Sequence, residues 1–193
     1  LIQCLSCRIY QRFVLFSHAI HLAGQDFTFI FRKVREESNI VDAVQLGEVV
    51  LYGADGGQIN VASASNPGGD YRVNESPDNL IKGDLSRKWT DLNYVSHGSS
   101  NLTLRLHSSS VVASYMLYTA NAPKRRDPVA WTVGISRSNG FYEIMSTVTN
   151  AQPPDNRSTA YLADGDRFWI IHPPLPPNSP PMSPPHPPFP PPA

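Results

Sequence analysis

The sequence predicts an all-β protein, two antiparallel sheets packed face to face, and three observations carry that expectation. Short runs in which apolar and polar residues alternate recur along most of the chain. Words rich in Gly, Pro, Asn and Asp punctuate them, such as Ala64-Ser65-Asn66-Pro67-Gly68-Gly69 and Arg126-Asp127-Pro128. No long apolar stripe of helical period appears. Period two places every second side chain on one face, where a facing sheet can cover it, and the turn words close each strand. Such a sandwich carries its working surface on the connecting loops.

The elements follow in order. Phe27, Phe29 and Phe31 alternate with Thr28, Ile30 and Arg32, which predicts a first strand. Leu46, Val49 and Leu51 populate a second. The stretch from Ala64 to Asp91 reads mainly as loops, through Asn79-Leu80-Ile81-Lys82-Gly83-Asp84 and Lys88-Trp89-Thr90-Asp91. Leu102, Leu104 and Leu106 then point one way, with Thr103, Arg105 and His107 the other. Val111 to Tyr118 supplies another strand, and Thr119-Ala120-Asn121 opens the next loop. Val129, Trp131, Val133 and Ile135 repeat the pattern after the Arg126-Asp127-Pro128 corner, and Phe141 to Val148 follows. Phe168, Trp169, Ile170 and Ile171 read either as a closing strand or as an apolar hinge.

Three segments emerge: an unassigned stretch 1–26, a sandwich domain 27–172 and a proline-rich tail 173–193. Arg8, Arg12, His18 and His21 interrupt the apolar patches of the first, which makes a poor signal peptide. The chain begins at Leu1, as a piece of a longer protein would. Cys4 and Cys7 have a Cys-x-x-Cys spacing, but neither a βαβ context nor a second ligand pair accompanies them, so incidental thiols or a local disulfide is expected. In the tail, 13 of the 21 residues from Pro173 to Ala193 are proline. Proline fixes φ and donates no hydrogen bond, so an extended polyproline II spacer is expected, with SH3- or WW-type recognition as the alternative. Its Ser-Pro-Pro words resemble the hydroxyproline-rich stalks of plant and algal matrix glycoproteins.

Lys plus Arg equals Asp plus Glu at 16 each, so no net field recruits nucleic acid or an anionic membrane. No apolar run is long enough for a transmembrane helix. None of the six histidines belongs to a metal-binding pair with a third ligand at a familiar spacing. A nucleophile elbow, a phosphate loop and a dinucleotide fingerprint are all missing. A non-catalytic binding module is the expectation.

Several of these words occur in one order, from about Phe27 to about Tyr161. They are Val44-Gln45-Leu46-Gly47-Glu48-Val49-Val50-Leu51-Tyr52, Ala54-Asp55-Gly56, Ala64 to Gly69, Asn79 to Asp84, and Lys88 to Asn93. Thr119 to Pro123, Arg126 to Trp131 and Ser138-Asn139-Gly140 complete the series. In this the chain resembles the discoidin, or coagulation factor 5/8 type C, domains. The resemblance implies a galactose-binding-like jelly roll, an extracellular or cell-wall location, and glycans or matrix glycoproteins as partners. It also implies a structural calcium ion, with the carbonyls of Asn79 and Asp84 and the carboxylate of Glu48 as ligands. The family's central aspartate is Lys82 here, and its ammonium would repel a cation and could pair with Glu48 or Asp84 instead. The plainer reading is a turn at Gly83 with Asp84 as its cap.

Sugar-binding members of the fold pair an aromatic platform with polar side chains on loops at one end. Trp89, Asp91 and Asn93 are the candidates on one loop, with Asn121, Lys124, Arg125 and Arg126 on another and Tyr71 nearby. Core packing is the competing reading for Trp89 and Trp131, and a corner salt bridge for Arg126 and Asp127. The competing function is a structural or adhesive unit that binds protein neighbours. Exposed loop aromatics would favour the sugar; buried tryptophans with a flat, charged loop end would favour adhesion. Sequons at Asn74, Asn101 and Asn156 fit a secretory route.

Overall fold

The structure, a computed structural model, describes residues 26–35, 43–107, 110–136 and 142–170. Cys4 and Cys7, the Ser138-Asn139-Gly140 word and the proline-rich tail lie outside the described residues. Within them, β1 (Asp26–Val34), β2 (Val44–Leu46), β3 (Glu48–Gly53), β4 (Gln58–Ile59) and β5 (Val61–Ser65) come first. Then follow β6 (Trp89–Asp91), the single helical turn α1 (Tyr94–His97), β7 (Ser100–Leu106) and β8 (Val112–Tyr118). The strands β9 (Pro128–Ser136), β10 (Tyr142–Val148) and β11 (Phe168–Trp169) complete the order. Short 3-10 turns at Val73–Glu75, Pro77–Ile81 and Lys124–Arg126 lie in the loops.

The strands form an all-β sandwich in which every pairing is antiparallel. One sheet has the order β10-β9-β1-β7-β5, the facing one β11-β8-β3-β4, and β2 pairs with β6 as a small third sheet. The alternation read from the sequence defines the inner faces. Phe27, Phe29 and Phe31 of β1, Leu102, Leu104 and Leu106 of β7, and Trp131, Val133 and Ile135 of β9 are all buried. Val49 and Leu51 of β3 with Tyr115 and Leu117 of β8 meet them from the facing sheet. Phe29 packs edge-on against Tyr115 with ring centroids 5.1 Å apart, and the Trp131 indole donates to the Tyr115 hydroxyl at 2.8 Å. That bond satisfies the indole N–H, which would otherwise cost about 1–3 kcal/mol when buried.

One expectation is corrected and one open reading is resolved. The single strand through Leu46, Val49 and Leu51 is two strands, broken at Gly47. The Gly47 amide donates to the Tyr118 carbonyl at 2.9 Å, and a side chain there would meet the Thr119 carbonyl oxygen at 2.6 Å. Val44 to Leu46 therefore turns away to pair with Trp89 to Asp91. The end of the chain also resolves into a strand: Phe168 pairs with Tyr115 and Trp169 with Ser114.

Candidate functional site

The C-terminal end of β1 sets the loop end of the sandwich. Val34 pairs with Pro128, the Arg35 amide donates to the Asp127 carbonyl at 2.8 Å, and Ser100 lies opposite Phe31. The loops around 66–70, 91–99, 121–127 and 151–157 gather there, tied together by the Leu92 amide on the Asp70 carbonyl and the Ala151 amide on the Val129 carbonyl. The segment 84–88 joins them. Asn121 donates its side-chain amide to the Ser86 carbonyl at 2.6 Å, and the Ser158 hydroxyl donates to the Leu85 carbonyl at 3.1 Å.

These contacts enclose a polar cleft of about 450 Å3 lined by Asn74, Glu75, Ser86, Arg87, Lys88 and Asn121. The cations are matched by carboxylates: Lys88 Nζ lies 3.2 Å from Glu75, and Arg87 lies 3.2 Å from Asp84. Burial pushes the Glu75 carboxyl up, but the Thr90 hydroxyl, then the hydrogen bond and charge of Lys88 and the charge of Arg72, outweigh it and hold the group below its ordinary value. The Asp84 carboxyl is also held low, chiefly by hydrogen bonds from the Ser86 hydroxyl and amide.

The structure divides the site residues expected from the sequence. Trp89 is fully buried, with its ring 5.9 Å from that of Phe31, so it offers no platform to a ligand. All three residues of its strand are buried, Thr90 and Asp91 as well as Trp89. Asp91 is also buried; its carboxylate accepts from the Asp70 and Asn93 amides at 3.1 and 2.9 Å and from the Ser100 hydroxyl. Its task is to hold loops together. Asn93 is half-buried and donates to the Gly68 carbonyl at 3.2 Å. Asn121, by contrast, is exposed and lines the cleft. Lys124 is exposed and pairs with Asp155 at 3.0 Å, while Arg125 and Arg126 are half-buried on the same 3-10 turn. Tyr71 remains exposed at 42%.

The corner salt bridge also has other partners. Asp127 is fully buried and accepts two bonds from Arg157, at 2.6 and 2.7 Å, with Arg35 at 3.5 Å. The cations on its carboxylate are thus Arg157 and Arg35 rather than Arg126. Burial pushes the Asp127 carboxyl up, and the Arg157 guanidinium opposes that. Arg35 reaches on to Asp155 and to the carbonyls of Pro153 and Pro154, so β1 is bolted to the 151–157 segment.

The residues that the resemblance implies as calcium ligands are Glu48, Asn79 and Asp84. Glu48 does stand beside the Gly83 turn, its carboxylate 3.9 Å from where a side chain at 83 would begin. The Asp84 carboxylate, however, is turned to Ser86 and Arg87, and the Asp84 carbonyl accepts the Arg87 amide at 3.0 Å. Asn79 is buried and spends its side-chain amide on the carbonyls of Asn74 and Lys88, at 2.8 Å each. Lys82 pairs with neither Glu48 nor Asp84 within 4.0 Å; the partner of Asp84 is Arg87. The chain turns at Gly83, in the left-handed conformation at φ +68, with Asp84 capping Ser86.

Of the cleft-lining residues, Asn74, Glu75, Ser86, Arg87 and Lys88 do not stand out as ligand contacts in the sequence. The signal for Lys88 is its place beside an inward-facing tryptophan. For the others, only the long-range contacts of the folded chain bring them together. No protein-family model, curated protein or solved structure matches the chain.

Proposed function

We propose that this domain is a non-catalytic extracellular binding module, related to the discoidin jelly rolls, that holds carbohydrate in the cleft between Glu75, Arg87, Lys88 and Asn121. The observation that carries this reading is the chemistry of the cleft. Sugar hydroxyls donate and accept at once, and the cleft offers a carboxylate, an amide, an ammonium and a guanidinium within about 450 Å3. Because Arg87 and Lys88 are matched by Asp84 and Glu75, no unbalanced field selects a polyanion, which suits a neutral sugar. Tyr71 is the exposed aromatic nearest in sequence to the cleft and the best remaining platform.

The test is a glycan-array screen of the protein beside its Asn121→Ala and Arg87→Ala variants. Binding that falls about tenfold or more in either variant, the loss of one or two polar contacts, supports the reading. With the Glu75 carboxyl held below its ordinary value, its charge is present at neutral pH, and affinity should be lost only as the pH falls through the acid range in which that carboxyl protonates. A folded sample that binds nothing on the array sinks it.

One observation favours the alternative of a structural or adhesive unit: Trp89 and Trp131 are both buried, so the loop end lacks a tryptophan platform. That unit would capture protein neighbours regardless of changes at Asn121 and Arg87.

A further inference from the structure

We propose that Asn101 and Asn156 are N-glycan acceptors and that Asn74, the third sequon asparagine, is not. Transfer requires the sequon hydroxyl to curl back towards the asparagine amide. In Asn74-Glu75-Ser76 the next residue is Pro77, buried at the start of a 3-10 turn. A proline restricts the residue before it to extended backbone, in the unfolded chain as well as the folded one. Ser76 is held there at φ -70 and ψ 156. Asn101-Leu102-Thr103 is followed by Leu104 and Asn156-Arg157-Ser158 by Thr159, so neither carries this block.

The folded chain has room for both glycans. Leu102 and Leu104 of β7 point into the core, so Asn101 and Thr103 stand on the outer face of the five-stranded sheet. Asn101 is half-buried beside Ile30 of β1, but its side-chain amide is neither bonded to a described residue nor buried. Asn156 is exposed on the 151–157 segment. Its backbone carbonyl accepts the Thr119 hydroxyl at 3.1 Å, while its side-chain amide bonds to no described residue. A fixed backbone with an open amide is what a bulky surface attachment needs.

The co-reactant is a lipid-pyrophosphate-linked oligosaccharide, delivered by the transferase of the secretory route. The Nδ2 of each asparagine attacks the anomeric carbon of the first sugar. A C–N bond forms, the bond from that carbon to the pyrophosphate oxygen breaks with its electron pair leaving on the lipid pyrophosphate, and the amide gives up one proton. Sheets packed face to face lie about 10 Å apart, which leaves no room for an oligosaccharide rooted between them. With a glycan on Asn101, the outer face around β7 is a solvent face, and a protein neighbour would have to meet the molecule elsewhere. Use of these sites in the natural protein rests on the extracellular reading above, not on a sugar ligand.

The full 193-residue chain, carried into the secretory route of eukaryotic cells by an added leader, provides the test. Occupancy at all three sequons is read in one digest, by peptide mass after enzymatic deglycosylation in heavy-oxygen water. The variants Asn101→Gln and Asn156→Gln give up no side-chain bond to a described residue, so both should fold, and each should remove one glycan from the intact mass. The expected result is a glycan on Asn101 and on Asn156 in most molecules and on Asn74 in few. A secreted, folded chain with Asn101 or Asn156 unmodified, in cells that glycosylate a control protein, overturns the assignment of that residue. Asn74 modified as fully as the other two overturns its exclusion. Because the leader delivers the chain and no readout uses a sugar ligand, a blank glycan screen leaves these results standing.

Discussion

Asp127 shows how much a single buried carboxylate is asked to hold. It ties the start of β9 to Arg157, thirty residues further along, and to Arg35 at the end of β1. Removing one partner of a buried pair strands the other charge, which costs about 3–5 kcal/mol, whereas the net worth of the intact pair is smaller. Arg157 and Arg35 keep some contact with water, so the low end applies. Asp127→Asn should lower the unfolding free energy by about 3 kcal/mol and Arg157→Ala by a similar amount. The double variant should lose clearly less than their sum, because the stranded charge is then gone. Urea unfolding of the four proteins measures this, and strictly additive losses would remove the network from the account. At this scale the sequence is informative about which residues matter and silent about their partners. The Arg126-Asp127-Pro128 corner stands out, yet the adjacent Arg126 is the natural partner to expect; nothing local distinguishes Arg157.

At the scale of elements, strand period is legible wherever a strand is covered on one face. β1, β7 and β9 bury the very residues that alternate in the sequence. β8 is buried at nearly every position, so no alternation marks it, and its short apolar run carries the reading instead. The boundary at Gly47 is not legible, because Leu46, Val49 and Leu51 look continuous and the reason for the break lies on another strand. A methyl group on Gly47 would stand 2.6 Å from the Thr119 carbonyl oxygen, so Gly47→Ala must push β3 and β8 apart where the Gly47 amide meets Tyr118. Overpacking of this kind costs about 1–3 kcal/mol. A drop of about 2 kcal/mol in the urea-unfolding free energy is therefore expected for Gly47→Ala. An unchanged stability would mean that the two backbones can separate freely.

For the whole molecule, the sheets must be closed on each other before the loop end has a shape. The sandwich is legible as a class, since period two and turn words repeat over the chain, but the cleft is not. Its walls come from 74–75, 86–88 and Asn121, and long-range contacts bring those segments together: Asn121 to Ser86, Asn79 to Asn74 and Lys88, and Lys88 to Glu75. Phe168 tests how far the closure depends on the last strand. It sits on β11 in the four-stranded sheet, stacks on Tyr115 at 5.3 Å, and meets Trp131 of the five-stranded sheet edge-on at 5.2 Å. Tyr161 adds a third ring at 6.4 Å. Its ring is therefore a wedge between layers, and truncating it leaves a cavity that two rigid sheets cannot fill. Buried Phe→Ala changes cost about 3–5 kcal/mol; Phe168 is half-buried, so about 3 kcal/mol is expected. Phe168→Leu, which keeps most of the apolar volume, should recover the greater part. If Phe168→Ala instead melts like the parent protein, β11 is an accessory to the sandwich rather than a strand that closes it.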